Sequence, residues 1–241
     1  MNAVDNLKYT LQKVTNHLKA PVSERERFER EMERKLGKVW NSQRDELMKL
    51  LGDPPSLANV PQSYWNNGGH EIKKVIAPIF EEIFVSQSMA MAGAARIGVD
   101  WTLVNKQAAN WAYAHAGQLI QGLQTTEQNA IRDYVQKYYT DGWTLDDVIS
   151  HLEPLFDKQR ATTIAITETT NAATQSEMAM VNYLEATYPT IHFVGYWITA
   201  NDDRVCDICG PKHGKIIEDA EYPPAHVNCR CEVEYDVRQN G

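Results

Sequence analysis

Apolar side chains recur every three or four positions along most of this chain, and each such seam predicts a helix that packs one face on a neighbour. Val4, Leu7, Leu11, Val14 and Leu18 make the first seam, which ends before Pro21. Ser23 and Glu26 have capping-box spacing, and Phe28, Met32, Leu36, Val39, Trp40, Leu47 and Leu50 carry a second seam until Gly52-Asp53-Pro54-Pro55 stops it. Residues 1–51 therefore read as an antiparallel helix pair. Residues 52–70 hold three Pro, three Gly and no apolar period, and read as a loop or hinge.

Residues 71–187 return to the helical period. Ile72, Val75, Ile76, Ile79, Phe80, Ile83 and Phe84 define one segment with a kink expected at Pro78. Further helices are predicted over 103–123, 126–139, 144–156 and 158–186, with Thr144 as an N-cap and Asp146 and Asp147 in the first turn behind it. After Pro189 the texture changes. Residues 191–199 are rich in β-branched and aromatic side chains, and Cys231, Val233, Tyr235 and Val237 alternate with Arg230, Glu232, Glu234 and Asp236, the two-residue period of a strand. The predicted class is α+β: a mostly helical body with a small C-terminal antiparallel sheet over residues 188–241 that leans on it.

The start of the chain lacks a basic stretch followed by an apolar run, so no secretory leader is expected. The longest weakly polar stretch, residues 83–99, is broken by Ser86, Gln87, Ser88 and Arg96, and no membrane span is expected there. The formal charge of −8 argues against a protein that coats nucleic acid. That charge is uneven: residues 1–50 carry 11 basic and 8 acidic side chains, a net of +3. An anion-binding surface, for DNA or an acidic partner, is therefore sought at the N-terminal end. The first helix is too short to be stable alone. A docking role for residues 1–51 follows, and their deletion is expected to leave a folded remainder.

All four cysteines lie between Cys206 and Cys231. Cys206-Asp207-Ile208-Cys209 is followed by His226-Val227-Asn228-Cys229-Arg230-Cys231. A two-residue gap lets both donors of one turn reach a single ion, and four soft or imidazole donors complete a tetrahedral zinc shell. One set is Cys206, Cys209, His226 and Cys229; in the other, Cys231 replaces His226. Two disulfides, or reduced cysteines packed in a small core, are the readings without a metal. A segment of this size needs a metal, disulfides or a larger body to lean on, and a shell closed by four protein donors leaves no position for substrate, so the cluster is expected to be a fold staple, with structural zinc as its metal form, rather than a reaction centre.

Read together, Trp197, the run 201–209, His213-Gly214 and the run 223–231 resemble the C-terminal signature of the phage head morphogenesis family, the minor head proteins similar to protein F of phage Mu. Gly142-Trp143 and residues 160–169 resemble the family's upstream helix pair, so the resemblance covers about residues 130–237. Ile166 departs from it, standing where an arginine is expected. The resemblance implies a low-copy minor capsid protein of a tailed phage that assembles in the host cytoplasm and ends inside the virion head. It implies portal protein or major capsid protein as partners, a part in head assembly and DNA packaging or ejection, and no enzymatic activity. It also raises structural roles for Glu168, expected to bond the C-terminal sheet, and for Trp197. Asp202, Asp203 and Arg204 read as a charged turn, either solvated or closed by an Arg204 salt bridge that fixes the cysteine turn.

Two catalytic readings compete. His151-Leu152-Glu153 with Cys206 and Cys209 has the residue types of a zinc deaminase. Val205, however, stands where that signature has proline, and residues two apart on a helix do not share a face. A metal-dependent nuclease using His213 and His226 is the alternative function, although residues 201–241 are acidic where phosphate recognition recruits Arg and Lys.

Overall fold

The computed structural model describes residues 22–95, 99–199, 205–218 and 221–239. Helix α1 (Val22–Leu51) is followed by a single 3-10 turn, α2 (Gln62–Ala95), α3 (Trp101–Thr140), α4 (Leu145–Leu152), a second 3-10 turn and α5 (Lys158–Thr187). Strand β1 (Ile191–Ile198) and strand β2 (Glu232–Gln239) close the order. Helices dominate and a two-stranded antiparallel sheet lies near the C-terminus, the α+β class expected. The seam at residues 4–18, the Ser23 side chain, Asp202, Asp203 and Arg204 lie outside the described residues.

Three boundaries differ from the pattern reading. The segment 52–70 is not all loop, because α2 begins at Gln62. Tyr64 and Trp65 are buried there, and Gly68 and Gly69 continue the same face. Their lack of side chains hides the apolar period, yet it is what the packing needs: a Cβ on Gly69 would sit 3.0 Å from both Gln124 and Ile120, and one on Gly68 would strike Gln43. Residues 103–139 form one helix rather than two. The Thr125 and Thr126 hydroxyls donate to the carbonyls of Gln121 and Gly122 at 2.8 and 3.0 Å, one turn back, so these polar residues stay inside the helix instead of ending it. The segment 144–156 is α4 plus a 3-10 turn containing Pro154. Its start is as predicted. The Thr144 hydroxyl accepts from the Asp147 N–H at 3.1 Å while the Asp147 carboxylate accepts from the Thr144 N–H at 2.8 Å, a complete capping box.

Helix α2 is long and apolar enough over Gln62–Ala92 to cross a membrane, which the reading of residues 83–99 did not anticipate. Glu81 and Glu82 interrupt it, and Ile72, Ile76, Ile79, Phe80, Ile83 and Phe84 are buried inside the protein. Those positions are used as core.

The chain forms two compact units, each built from separated stretches. One comprises Arg30–Ile79 and Asn110–Ala165. Within it Met32, Leu36, Trp40 and Leu47 of α1, Ile72 and Ile76 of α2, Ala112, Ala116 and Ile120 of α3, and Val148 and Leu152 of α4 are buried. Residues 1–51 are therefore not a detachable arm: their removal would strip these α1 side chains from the core.

The same unit buries Glu127, with Arg160 3.1 Å away. Arg160 also donates to the Leu155 carbonyl and lies 4.9 Å over the Trp40 ring. Burial raises the Glu127 carboxyl to about 7, outweighing the attraction of Arg160. Because the folded carboxyl titrates above the unfolded one, folding favours its protonated form. This stabilisation is complete below about pH 4.5 and is lost as pH rises through 7, roughly 3 kcal/mol in all. Glu127→Gln, which keeps an acceptor for Arg160, is expected to flatten that part of the stability profile. Urea melts at pH 5 and pH 8 that differ by the same amount in both chains would refute the assignment.

The other unit includes Phe80–Ala109 and Ile166–Gly241 together with the start of α1. Strands β1 and β2 pair from Ile191 opposite Gln239 to Ile198 opposite Glu232. Ile191, Phe193, Val233, Tyr235 and Val237 form one apolar face with Met91 of α2, Val104 of α3 and Met180, Val181 and Leu184 of α5. Gly195 admits the close approach of Val233, whose Cγ1 would lie 3.1 Å from an added Cβ. Beyond β1 the chain returns through residues 214–217, bonded by the Trp197 N–H to the Lys215 carbonyl and the Ile217 N–H to the Gly195 carbonyl, each at 2.9 Å. This arrangement sets Trp197 and the ends of both strands against the cysteines.

Candidate metal centre

The cysteine cluster sits where β1 ends and β2 begins. Cys206 and Cys209 bracket a tight turn in which the Cys206 carbonyl accepts from the N–H of Cys209 at 3.1 Å and of Gly210 at 2.8 Å. The backbone N–H groups of Cys209 and Ile208 also point at the Cys206 sulfur and hold its thiol below the ordinary thiol range. The second turn follows a cis Pro223–Pro224 bond and places Asn228 at φ 68, a left-handed position asparagine tolerates better than most residues. It closes with the Cys229 N–H donating to the His226 carbonyl at 3.2 Å.

These turns bring all five predicted donors together. His226 Nε2 lies 3.1 Å from the sulfurs of both Cys206 and Cys209, and the Cys209 and Cys229 sulfurs are 3.8 Å apart. Cys209, Cys229 and Cys231 form a second triad that shares Cys209 with the first. The four cysteines are free, so the two-disulfide alternative is not realised.

The donor set fits a tetrahedral divalent ion. Zinc–sulfur bonds of ~2.3 Å at tetrahedral angles give sulfur–sulfur edges of about 3.8 Å, the separation of Cys209 and Cys229. The imidazole–sulfur edges would open by about half an ångström around such an ion. His226 is in the tautomer a ligand needs: its Nδ1–H donates to the Val227 carbonyl at 2.7 Å, which raises the imidazole pKa and leaves the Nε2 lone pair facing the sulfurs. A hydrogen bond from the Cys231 thiol lowers the Cys229 thiol to about 5, and burial pushes Cys209 up to about 12. Cys231 is driven far above the ordinary range, chiefly because its proton is shared with Cys229.

Trp197 is buried against Cys209, Cys229 and Cys231. Its indole N–H has no ordinary hydrogen-bond acceptor but acts on the Cys231 sulfur, opposing the rise in that thiol's pKa. The Lys212 ammonium lies 4.9 Å over the same ring. Such an N–H beside a sulfur favours a thiolate over a thiol.

Helix α5 fixes the second turn from below. The Asn228 N–H donates to the Thr167 hydroxyl and the Thr170 hydroxyl donates to the Cys229 carbonyl, each at 2.7 Å. Arg25 of α1 donates to the Thr170 hydroxyl, to Glu232 at 3.1 Å and to the Arg230 carbonyl at 3.4 Å. Arg230 pairs with the buried Glu29 at 2.7 Å. Glu168 bonds Asn171 of its own helix at 3.5 Å, and the helix-to-turn bonds described here come from its neighbours Thr167 and Thr170. Thr170, Arg25 and Glu29 escaped sequence reasoning. The two α1 residues lie some 200 positions from the turn, and no local spacing announces them.

The remaining candidates stand apart from this shell. His213 Nδ1 accepts from the Thr199 N–H at 3.1 Å, whereas His226 belongs to the cysteine triad. His151 Nδ1 bonds the Asp147 carbonyl at 2.7 Å and its ring packs 4.3 Å from Trp143.

The fold and the cluster together define a mainly helical protein whose small C-terminal sheet ends against two facing Cys/His turns. Residues 129–234, which contain both turns and helices α4 and α5, match the family model described as Phage Mu protein F like protein. The match falls on the stretch whose signature resembles the same family. Neither the curated proteins nor the solved structures yielded a match to the chain.

Proposed function

We propose that this protein is a minor head protein of a tailed phage that docks on the portal or the major capsid protein and serves head assembly and DNA packaging or ejection. The observation that carries this reading is the family match over residues 129–234, which points to head morphogenesis and implies a virion location. The basic N-terminal stretch is the contact offered to an acidic partner surface or to DNA.

In the same reading Cys206, Cys209, His226 and Cys229 hold a structural zinc, with Cys231 packed behind them under Trp197. The equal 3.1 Å reach of His226 Nε2 to two sulfurs favours it over Cys231 as the fourth donor. A shell closed by four protein donors keeps no open position for water or substrate, so the ion would staple the fold and not react. Elemental analysis should find one zinc per chain, retained in Cys231→Ser and lost in His226→Ala.

The test of the biological role is incorporation. An epitope-tagged chain expressed in cells assembling heads should co-purify with the particles, and a chain lacking only residues 1–20 should fold but associate poorly. Absence of the tagged full chain from purified heads would exclude the proposal. Incubation with plasmid DNA and Mg²⁺, Mn²⁺ or Zn²⁺ should leave the plasmid intact. Cleavage abolished by His226→Ala would replace the structural reading with a metal-dependent nuclease.

A further inference from the structure

A cavity of about 40 Å³ lies in the unit that carries the cysteine cluster, walled by the apolar Phe28, Ile83 and Ala173 and by the polar side chains of Arg25, Thr169 and Glu177, with Gln87 and Glu232 at its edge. Two buried polar atoms on its wall, Thr169 Oγ1 and Arg25 Nε, have no hydrogen-bond partner, the Glu29 carboxylate standing 3.6 Å from Nε as an ion pair beyond hydrogen-bond distance. Thr169 is only 1% exposed, and buried hydroxyls are nearly always bonded. A helical threonine ordinarily satisfies itself on the carbonyl one turn earlier, as Thr187 of the same helix does on Tyr183 at 2.7 Å. Thr169 does not, and its hydroxyl is left for something inside the cavity.

The wall chemistry selects the guest. A cation would meet the Arg25 guanidinium, an anion would meet the Glu177 and Glu232 carboxylates, and an apolar guest would leave both atoms unpaired. A small neutral molecule that both donates and accepts satisfies all of them. One water needs roughly 10–15 Å³ and two to four polar partners, so the space suits about three waters.

We propose that this cavity is a permanent hydration site, in which ordered water accepts the Arg25 Nε–H and bonds the Thr169 hydroxyl, tying α1 and α5 to the start of β2. The site bears on the cysteine cluster through Arg25, whose other nitrogens bond Thr170, Glu232 and the Arg230 carbonyl around the Cys229 turn. Water on Nε fixes the plane of that guanidinium. The inference stands apart from the metal reading, since none of its atoms is a metal donor.

Thr169→Val in the full chain decides the matter, because it keeps the side-chain shape and removes only the hydroxyl. In a hydrated cavity the waters lose a partner, and the melting temperature falls by about 2–4 °C. In a dry cavity the same change deletes an unpaired buried hydroxyl, and the melting temperature rises. A rise, or no change, overturns the proposal. A high-resolution crystal structure of the parent chain gives the second measurement: ordered density within hydrogen-bond distance of Thr169 Oγ1 and Arg25 Nε is expected, and an empty cavity overturns the proposal independently.

Discussion

Cys206→Ser, prepared with zinc present, is expected to melt roughly 8–16 °C below the parent chain. An ion held at about 1,000 times its dissociation constant contributes ~4 kcal/mol to the folded state, and each kcal/mol moves the midpoint of a chain this size by about 2–4 °C. The serine removes a sulfur 3.1 Å from His226 Nε2 and leaves three donors where a closed shell needs four. The damage should be local. Hydrogen exchange is expected to accelerate in β1 and β2, which are held between the two turns, while α4, with its own capping box and its buried Val148 and Leu152, should exchange as before. A chelator should reproduce the shift in the parent chain and add nothing in the variant. If both chains melt within about 2 °C of each other with and without chelator, the cluster is a packed thiol core and zinc is not its staple.

How much of this was legible in the sequence depends on the distance over which each feature is encoded. Strand alternation at Val233, Tyr235 and Val237 is local, and so is the Thr144 cap; both appear where the pattern placed them. The five candidate donors were legible for the same reason, since two-residue gaps announce turns. Gly68 and Gly69 misled because glycine carries no hydropathy signal: a helix face built for close approach reads as loop. Thr125 and Thr126 misled because hydroxyls that bond their own helix look, in sequence, like hydroxyls that end one. Least legible was the bracing of the Cys229 turn. Thr167 and Thr170 are unremarkable on a polar helix, and Arg25 and Glu29 sit in a run of charges that resembles any solvated face until the fold buries it.

That buried pair carries the other large effect. Arg25→Met is expected to cost about 3 kcal/mol, the lower end of the ~3–5 kcal/mol typical of breaking a buried charge pair. The side chains of Arg25 and Glu29 are only 15% and 9% exposed, so the loss is not that of a surface bridge. It stays at the lower end because Glu29 keeps Arg230 at 2.7 Å and Glu232 is 30% exposed, so neither carboxylate is wholly stranded. Methionine preserves the apolar stem, which confines the loss to the guanidinium. Since Arg25 also holds Thr170 and the Arg230 carbonyl, the Cys229 turn should loosen, and zinc should pass to a competing chelator faster than from the parent chain. Coupling with Glu29→Gln measured by urea denaturation should exceed ~1 kcal/mol, because the two residues face one another inside the unit. A total loss below about 1 kcal/mol, the worth of an exposed pair, would mean that Arg25 decorates the turn and does not brace it.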